Sequence, residues 1–460
     1  MKSFIDHDEI DGLARKPRDK RFLHEALDQA ESVEHKGLAL DQAAALLLNE
    51  DPEIDDRIFA LARDIKQRVY GNRVVLFAPL YVSNTCSNEC LYCGFRRSNF
   101  SLKRKELDQQ ELADEVRVLT RTGHKRLLMV YGETNGSKAG YIADTVRWAY
   151  QVKTENSGEI RRINVNAAPM EVADFKVIKQ AGIGTYQCFQ ETYHRPTYEK
   201  VHVAGKKADY DWRLYAMHRA VEGGIDDVGI GVLYGLSDYK WDTLAMLAHC
   251  RQLEKDIGVG PHTVSFPRIE PAQGSAMSEN PPHALTDRQF MRVVAITRIA
   301  VPYTGIIMST RENAEMRRQL IETGVSQISA GSRTYPGAYK DSLANKPDSQ
   351  QFTIGDTRSL DDVVLDLIGM RHTPSFCTGC YRSGRTGDHF MGLAKTAFIH
   401  RFCSPNGILT FAEYLRDYGS EDARKAGKRL IDEIMAADEN AAKAVDKLRK
   451  MESGDSDLFF

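Results

Sequence analysis

The sequence predicts an α/β fold: a full (β/α)8 TIM barrel with an N-terminal helical extension and a C-terminal helical domain. Three observations carry that expectation. Eight short runs rich in Val, Ile and Leu, apolar at both alternations, recur between residues 74 and 330, as strands buried on both faces of a parallel sheet do. Segments with helical apolar spacing lie between them, and several stop at a glycine, among them Gly123, Gly182, Gly223 and Gly324. An open doubly wound sheet would carry G-x-G-x-x-G at its first crossover, which this sequence lacks, so eight strand–helix units are expected to close as a barrel.

The elements follow in order. Residues 1–72 are charged, with Leu40, Ala43, Ala44, Leu47 and Leu48, then Ile58, Leu61, Ile65 and Val69, at helical intervals. The strands are expected at 74–82, 126–131, 163–167, 185–189, 228–233, 263–266, 305–308 and 326–330. Helical patterns fill 108–121, 143–152, 172–181, 211–222, 243–255, 287–299 and 312–322. Residues 331–358 are rich in Gly, Ser, Pro and Asp and read as an extended loop, and from Ser359 the pattern is mostly helical. The expected division is therefore 1–72, 73–345 and 346–460.

Composition narrows the function. The 460 residues carry 62 Lys+Arg and 64 Asp+Glu, a formal charge of −2, with 42% hydrophobic residues. That is an ordinary globular balance, which excludes a disordered chain and a simple basic nucleic-acid binder. No apolar stretch reaches the roughly 18–20 residues that span a bilayer. The start, MKSFIDHDEIDG, is acidic and unlike a signal peptide. A cytoplasmic protein with neither nucleic-acid nor membrane partners is expected. In a reducing compartment its eight cysteines read as ligands or catalysts before disulfides.

Six of the eight form two triplets. Cys86, Cys90 and Cys93 form C-x3-C-x2-C just after the first strand, at the barrel mouth where catalytic groups gather. Three thiolates on one loop suit three corners of a 4Fe-4S cubane and leave the fourth iron open to a chelating ligand. Structural zinc would need a fourth ligand, and the nearby sequence offers none at zinc-like spacing. With Tyr92 before the last cysteine, the motif resembles the radical S-adenosylmethionine (SAM) enzymes. In that superfamily the open iron binds SAM, and one-electron reduction releases a 5′-deoxyadenosyl radical. Gly132-Glu133 is similar to the end of the superfamily's Gly-Gly-Glu segment, which contacts the SAM amino group, although Tyr131 replaces the first glycine. Gln190 and Glu191, ending the fourth strand, are expected within reach of a ribose, with an ordinary solvated carboxylate as the plainer reading.

Cys377, Cys380 and Cys403 form C-x2-C-x22-C. From spacing alone this fits a second iron–sulfur cluster or a zinc site completed by His372, His389 or His400. A redox dithiol leaves the third cysteine unused. Behind a full radical SAM barrel, the motif resembles the HydG family, tyrosine lyases that mature FeFe-hydrogenase. Segments at 77–95, 182–198, 225–236, 260–268 and 374–391 carry the same resemblance along nearly the whole chain. It implies cleavage of the Cα–Cβ bond of L-tyrosine to p-cresol and dehydroglycine, and conversion of the latter to carbon monoxide and cyanide. These would enter an Fe(CO)2(CN)-cysteine unit for the hydrogenase H-cluster.

The implied cofactors are the SAM-binding cluster, SAM, a second C-terminal iron–sulfur cluster with an extra iron, and free L-cysteine. The implied partners are other hydrogenase maturation proteins and an electron donor. By the same resemblance His262, expected at the end of strand six, ligates the extra iron. A lone mouth histidine is more often a hydrogen-bonded one. Arg311 pairs with the tyrosine carboxylate, as its fork of donors allows, assisted by Ser309 and Ser332, and Tyr92 meets the substrate amine. Cys188 and Cys250 read as buried small hydrophobes. Two alternatives remain: a thiazole-synthesis-type lyase that stops at dehydroglycine, and a non-catalytic cluster carrier.

Overall fold

The computed structural model describes residues 3–32, 37–134, 136, 138–343 and 350–460. Eight parallel strands form the barrel: β1 (Arg73–Ser83), β2 (Arg126–Tyr131), β3 (Arg162–Asn166), β4 (Thr185–Gln187), β5 (Asp227–Gly231), β6 (Thr263–Ser265), β7 (Gly305–Met308) and β8 (Gln327–Ser329). Closure is by β8 on β1, with Val75, Leu76 and Phe77 opposite Gln327, Ile328 and Ser329. Val, Ile and Leu at the strand positions are buried on both faces, as in β5, where every residue is buried.

Local chemistry starts and stops the outer helices. Asp108 accepts from the Glu111 amide while the Glu111 side chain returns to the Asp108 amide, opening helix Gln109–Arg121. Thr286 with Gln289 opens Asp287–Ala300 in the same way. The left-handed Gly258 closes Tyr239–Ile257. In the N-terminal extension, Asp55 of helix Pro52–Tyr70 accepts from Arg288 at 2.8 Å and Arg292 at 2.6 Å, tying the extension to the barrel's outer helices.

The expectation for 331–358 was too plain. Helix Ala338–Leu343 forms there, with Glu115 accepting from the amides of Tyr339 and Lys340. The expected division between 345 and 346 lies outside the described residues.

The C-terminal region also contains a strand that the helical reading missed, β9 (Thr373–Ser375). It pairs in parallel with the first residues of β1, with Arg73 opposite Thr373 and Val75 opposite Ser375. β2 meets β1 only from Ala78 onward, which leaves the near end of β1 free to take β9. A three-residue strand is too short to show periodicity, so only the unpaired edge creates it.

A buried ion pair joins the C-terminal helix His400–Asp417 to the barrel. Arg161, just before β3, donates twice to Glu413, at 2.9 and 2.6 Å, with the side chains 4% and 3% exposed. Glu413→Ala removes both of these bonds and leaves the guanidinium with Asp457 at 3.1 Å and Glu159 at 3.5 Å, so a stability loss of about 1.5–3 kcal/mol is expected, read as a lower urea midpoint. A midpoint within error of wild type would refute that role.

Candidate functional site: two cysteine triplets at opposite ends of the barrel

The chain leaves β1 at Ser83 and enters a loop held mainly by its own side chains. The Asn84 amide group donates to the Lys103 carbonyl at 2.9 Å and accepts from the Lys105 amide at 2.7 Å. The Arg104 guanidinium donates to the carbonyls of Asn84 and Phe95, both at 2.8 Å. Gly94 is required by close approach, since a Cβ there would lie 2.6 Å from the Gln351 carbonyl. At Gly132 a Cβ would lie 2.3 Å from the Thr85 carbonyl, so the end of β2 reaches the cysteine loop only without a side chain.

This loop brings Cys86, Cys90 and Cys93 to one cavity of about 220 Å³ at the C-terminal mouth. Tyr92, Gly132, Glu133, Glu191, Ser309 and Arg311 line the same cavity. Burial raises the Cys86 and Cys90 thiols above their ordinary values, so their thiolates need the positive charge of bound iron. All three cysteines are free, and their loop spacing fits three corners of a cubane.

Glu133 is anchored through one oxygen, which accepts from Asn88 at 2.9 Å, while its other oxygen is buried without a partner. That orphaned acceptor fits a ligand ammonium group. Arg213, which the sequence reading missed, stands 3.7 Å from Glu133 and 3.9 Å from Glu191, and Lys207 donates to Glu191 at 2.6 Å. These two cations offset the charge of both carboxylates in a buried wall. Arg311 lies over the Phe352 ring at 3.4 Å from its centroid, and its backbone amide donates to Ser309 Oγ at 3.3 Å. Burial lowers the affinity of its guanidinium for its proton, and among the described residues no carboxylate pairs with it. A fork of donors without a carboxylate partner, lining this cavity, fits a substrate carboxylate.

The Tyr92 hydroxyl and His202 Nε2 are 2.8 Å apart. Two expected residues lie apart from this group. The Gln190 side chain donates to the Tyr210 carbonyl at 3.3 Å and is absent from the cavity lining. Ser332 is buried with its hydroxyl unpartnered, also outside the lining.

The second triplet sits at the other end. Cys377 follows β9, its carbonyl accepts from Arg126 at the start of β2, and Cys403 lies on helix His400–Asp417. Burial raises the Cys380 thiol and pushes Cys403 up to about 12. The first residues of β1, β2 and β3 are all arginine: Arg73, Arg126 and Arg162. The field of Arg73 reaches all three cysteines. Such a cationic ring fits a cluster carrying anionic thiolates. Arginines at the head of successive strands were the readable signal for it.

His262 was expected at the end of strand six, and the structure corrects this: it immediately precedes β6. It therefore faces the N-terminal end, where the second triplet lies. Its ring lies 4.4 Å from Phe390, and its Nδ1 is 3.4 Å from Asp227, the first residue of β5. Burial lowers His262 to about 4, which leaves a neutral imidazole of the kind that binds metals. The other histidines considered are engaged or open: His372 meets Lys66 at 3.1 Å, His400 is 3.4 Å from Asp438, and His389 is exposed. Cys188, one residue past β4, and Cys250 on helix Tyr239–Ile257 are both buried.

A full parallel barrel with three cysteines and an anchored glutamate at its mouth defines a radical SAM enzyme. Residues 80–250 match the Radical SAM superfamily, and residues 265–370 match the Biotin and Thiamin Synthesis associated domain. The chain is 32% identical to the 2-iminoacetate synthase of Escherichia coli K12 over 350 residues, covering 76% of this chain and 89% of that protein. It superposes on a crystal structure of HydG, described as a maturase of the [FeFe]-hydrogenase, with a TM-score of 0.95, 45% identity and 100% of both chains covered. A second HydG, from Carboxydothermus hydrogenoformans, gives a TM-score of 0.82 at 38% identity over 96% of each chain. The chain belongs to the HydG family, the 2-iminoacetate synthase-like radical SAM lyases.

Two independent cysteine sites should lose iron separately. In reconstituted protein, Cys86→Ala should remove about one cubane's four iron atoms and Cys377→Ala that number together with the extra iron, each leaving the other cluster's spectrum in place. Loss of all iron in either variant would show that the sites are not independent.

Proposed function

We propose that this protein cleaves the Cα–Cβ bond of L-tyrosine to p-cresol and dehydroglycine. We further propose that it converts dehydroglycine to carbon monoxide and cyanide for an Fe(CO)2(CN)-cysteine unit used in FeFe-hydrogenase assembly. The observation that carries this reading is the unpaired Arg311 guanidinium in the same cavity as Cys86, Cys90 and Cys93.

Cys86, Cys90 and Cys93 would hold a 4Fe-4S cluster, which together with bound SAM would supply the radical chemistry that removes a hydrogen atom from the substrate amine. The chain's own residues bind and orient. Arg311 clamps the tyrosine carboxylate, and Phe352 beneath it fixes the plane of the fork. Ser309 holds the Arg311 backbone. The orphaned Glu133 oxygen would accept from the SAM ammonium. Glu191 would meet the ribose, and Tyr92, hydrogen-bonded to His202, would meet the substrate amine. Breaking the Cα–Cβ bond then leaves dehydroglycine and a phenolic fragment, which takes up one electron and one proton to leave as p-cresol.

At the far end, Cys377, Cys380 and Cys403 would hold a second cluster and His262 the extra iron, with free cysteine as a further ligand. Other maturation proteins and an electron donor complete the system, which works in the cytoplasm. Among the described residues no helix is long and apolar enough to cross a membrane. A thiazole-synthesis-type lyase, stopping at dehydroglycine, is the second reading, favoured by the 2-iminoacetate synthase match.

One anaerobic turnover with reductant, SAM, tyrosine and cysteine separates them. p-Cresol together with carbon monoxide supports the full reading, and p-cresol alone supports the second. SAM cleavage without either product would mean that Arg311 holds a different amino acid. Cys377→Ala should keep p-cresol formation and abolish carbon monoxide. An unchanged carbon monoxide yield would remove the second triplet from the reaction. His262→Ala should lower the iron count by about one per chain, and full iron retention would make it a packing residue.

A further inference from the structure

We propose that the rim of the mouth formed by residues 96–105 and 200–206 is the docking surface for an acidic, one-electron carrier protein that reduces the first cluster. The proposal rests on the cluster held by Cys86, Cys90 and Cys93. Among the described residues, the two large apolar side chains most open to solvent are Phe100 at 93% and Val203 at 57%. They are distant in sequence yet flank one residue of the cysteine loop, Glu89. The Glu89 carbonyl accepts from the Val203 amide at 3.0 Å, and its carboxylate accepts from the Ser98 amide at 3.1 Å and the Ser98 hydroxyl at 2.6 Å. Cys90 itself bridges to His202. Both apolar side chains are therefore displayed by the backbone that carries the cluster ligands.

The surrounding charge is mainly positive. Residues 96–105 read RRSNFSLKRK, five cations and no acid, of which Arg104 turns inward to the loop's carbonyls and Lys105 pairs with Glu111 at 3.0 Å. Arg97 and Lys103 are exposed beside Phe100, as are Lys200 and Lys206 beside Val203. The exposed acids Glu199 and Asp209 lie just outside the second segment, while Glu89 beneath is engaged by Arg96 and Arg97 at 3.6 Å.

The loop is built rather than loose. Arg104 donates to four of its carbonyls, and Asn99 donates to Gly94 and Gln273. A rigid loop that spends its polar groups on internal bonds holds the Phe100 ring in a fixed exposed position, where an apolar patch on a partner can cover it. Apolar anchors ringed by cations fit an acidic protein surface.

A cluster that must be reduced by one electron needs that electron delivered from a second molecule near its ligands. One electron leaves the carrier's reduced cofactor and enters the cluster. The carrier is oxidised by one electron, and no atom is transferred.

The test uses full-length reconstituted enzyme and a reduced flavodoxin, an acidic FMN protein, as probe. Its binding is titrated against salt, and the rate of cluster bleaching is followed by stopped flow. Dithionite, which needs no docking surface, drives a parallel set. Phe100→Ser and Lys103→Glu should each weaken flavodoxin binding and slow flavodoxin-driven bleaching by about tenfold. Dithionite-driven bleaching, p-cresol yield and thermal midpoint should stay at wild-type values. Val203→Ser gives an independent check from the second segment. Wild-type flavodoxin binding in all three variants overturns the proposal. If dithionite fails to bleach the cluster even in wild type, the first-cluster reading falls and this surface with it.

Discussion

Strand β1 is the member from which both cysteine sites hang. Its eleven residues span on the order of 30 Å. One end runs into the loop that carries Cys86, Cys90 and Cys93, and the other takes β9, which leads to Cys377. A parallel barrel cannot shift one end of such a strand without shifting its register against β2 and β8. The separation of the two sites is thus set by backbone hydrogen bonds rather than by a flexible interface. The mouth cavity and a void of about 10 Å³ within the barrel share Phe77, Leu128, Gln187 and Ile307, and that void is also lined by Arg126 and Arg162. Side chains from β1, β2, β4 and β7 therefore form the divide between the two ends.

The ends are electrostatically different. At the mouth, the carboxylates Glu133 and Glu191 are balanced by Arg213 and Lys207, while Arg311 and Glu270 line the same cavity without a direct ion pair among the described residues. At the other end three arginines head three adjacent strands, with Asp227 pairing to Arg162 at 3.3 Å. In most (β/α)8 barrels chemistry belongs to the C-terminal face and the N-terminal face serves stability. A charged ring on the N-terminal face departs from that rule, and in this chain it coincides with the second cysteine triplet.

Much of this was legible before the structure. The barrel was readable because strands buried on both faces leave runs such as Val-Val-Leu-Phe-Ala and Gly-Ile-Ile-Met, with helices of regular spacing between them. The cysteine loop was readable because a local motif carries its own spacing. His262 went to the wrong end because β6 has three residues, so one position decides which mouth the ring faces. The strand-heading arginines were passed over because a cation flanking an apolar run ordinarily lies in water. Only the covering helices, brought in by β9, bury them. Arg213 and Lys207 were invisible because no local pattern ties them to strands β2 and β4, whose carboxylates they meet through the fold.

The buried arginines also say something about how the C-terminal region holds together. Burial and the charge of Arg162 both press Arg126 to give up its proton, while Cys377 and Cys380 act in the opposite sense. Arg73 feels Cys403 as well as these two cysteines and has a buried Nε without a partner. Guanidiniums this close repel one another in a low dielectric, and thiols raised by burial offer little negative charge until metal removes their protons. A ligated cluster would supply the missing anion to all of these arginines at once. Because only the folded chain gathers Cys377, Cys380 and Cys403 around the ring, the free energy of loading that cluster is also free energy of folding for the region. A cluster held there would make the second site and the docking of the C-terminal helices on the barrel one thermodynamic unit.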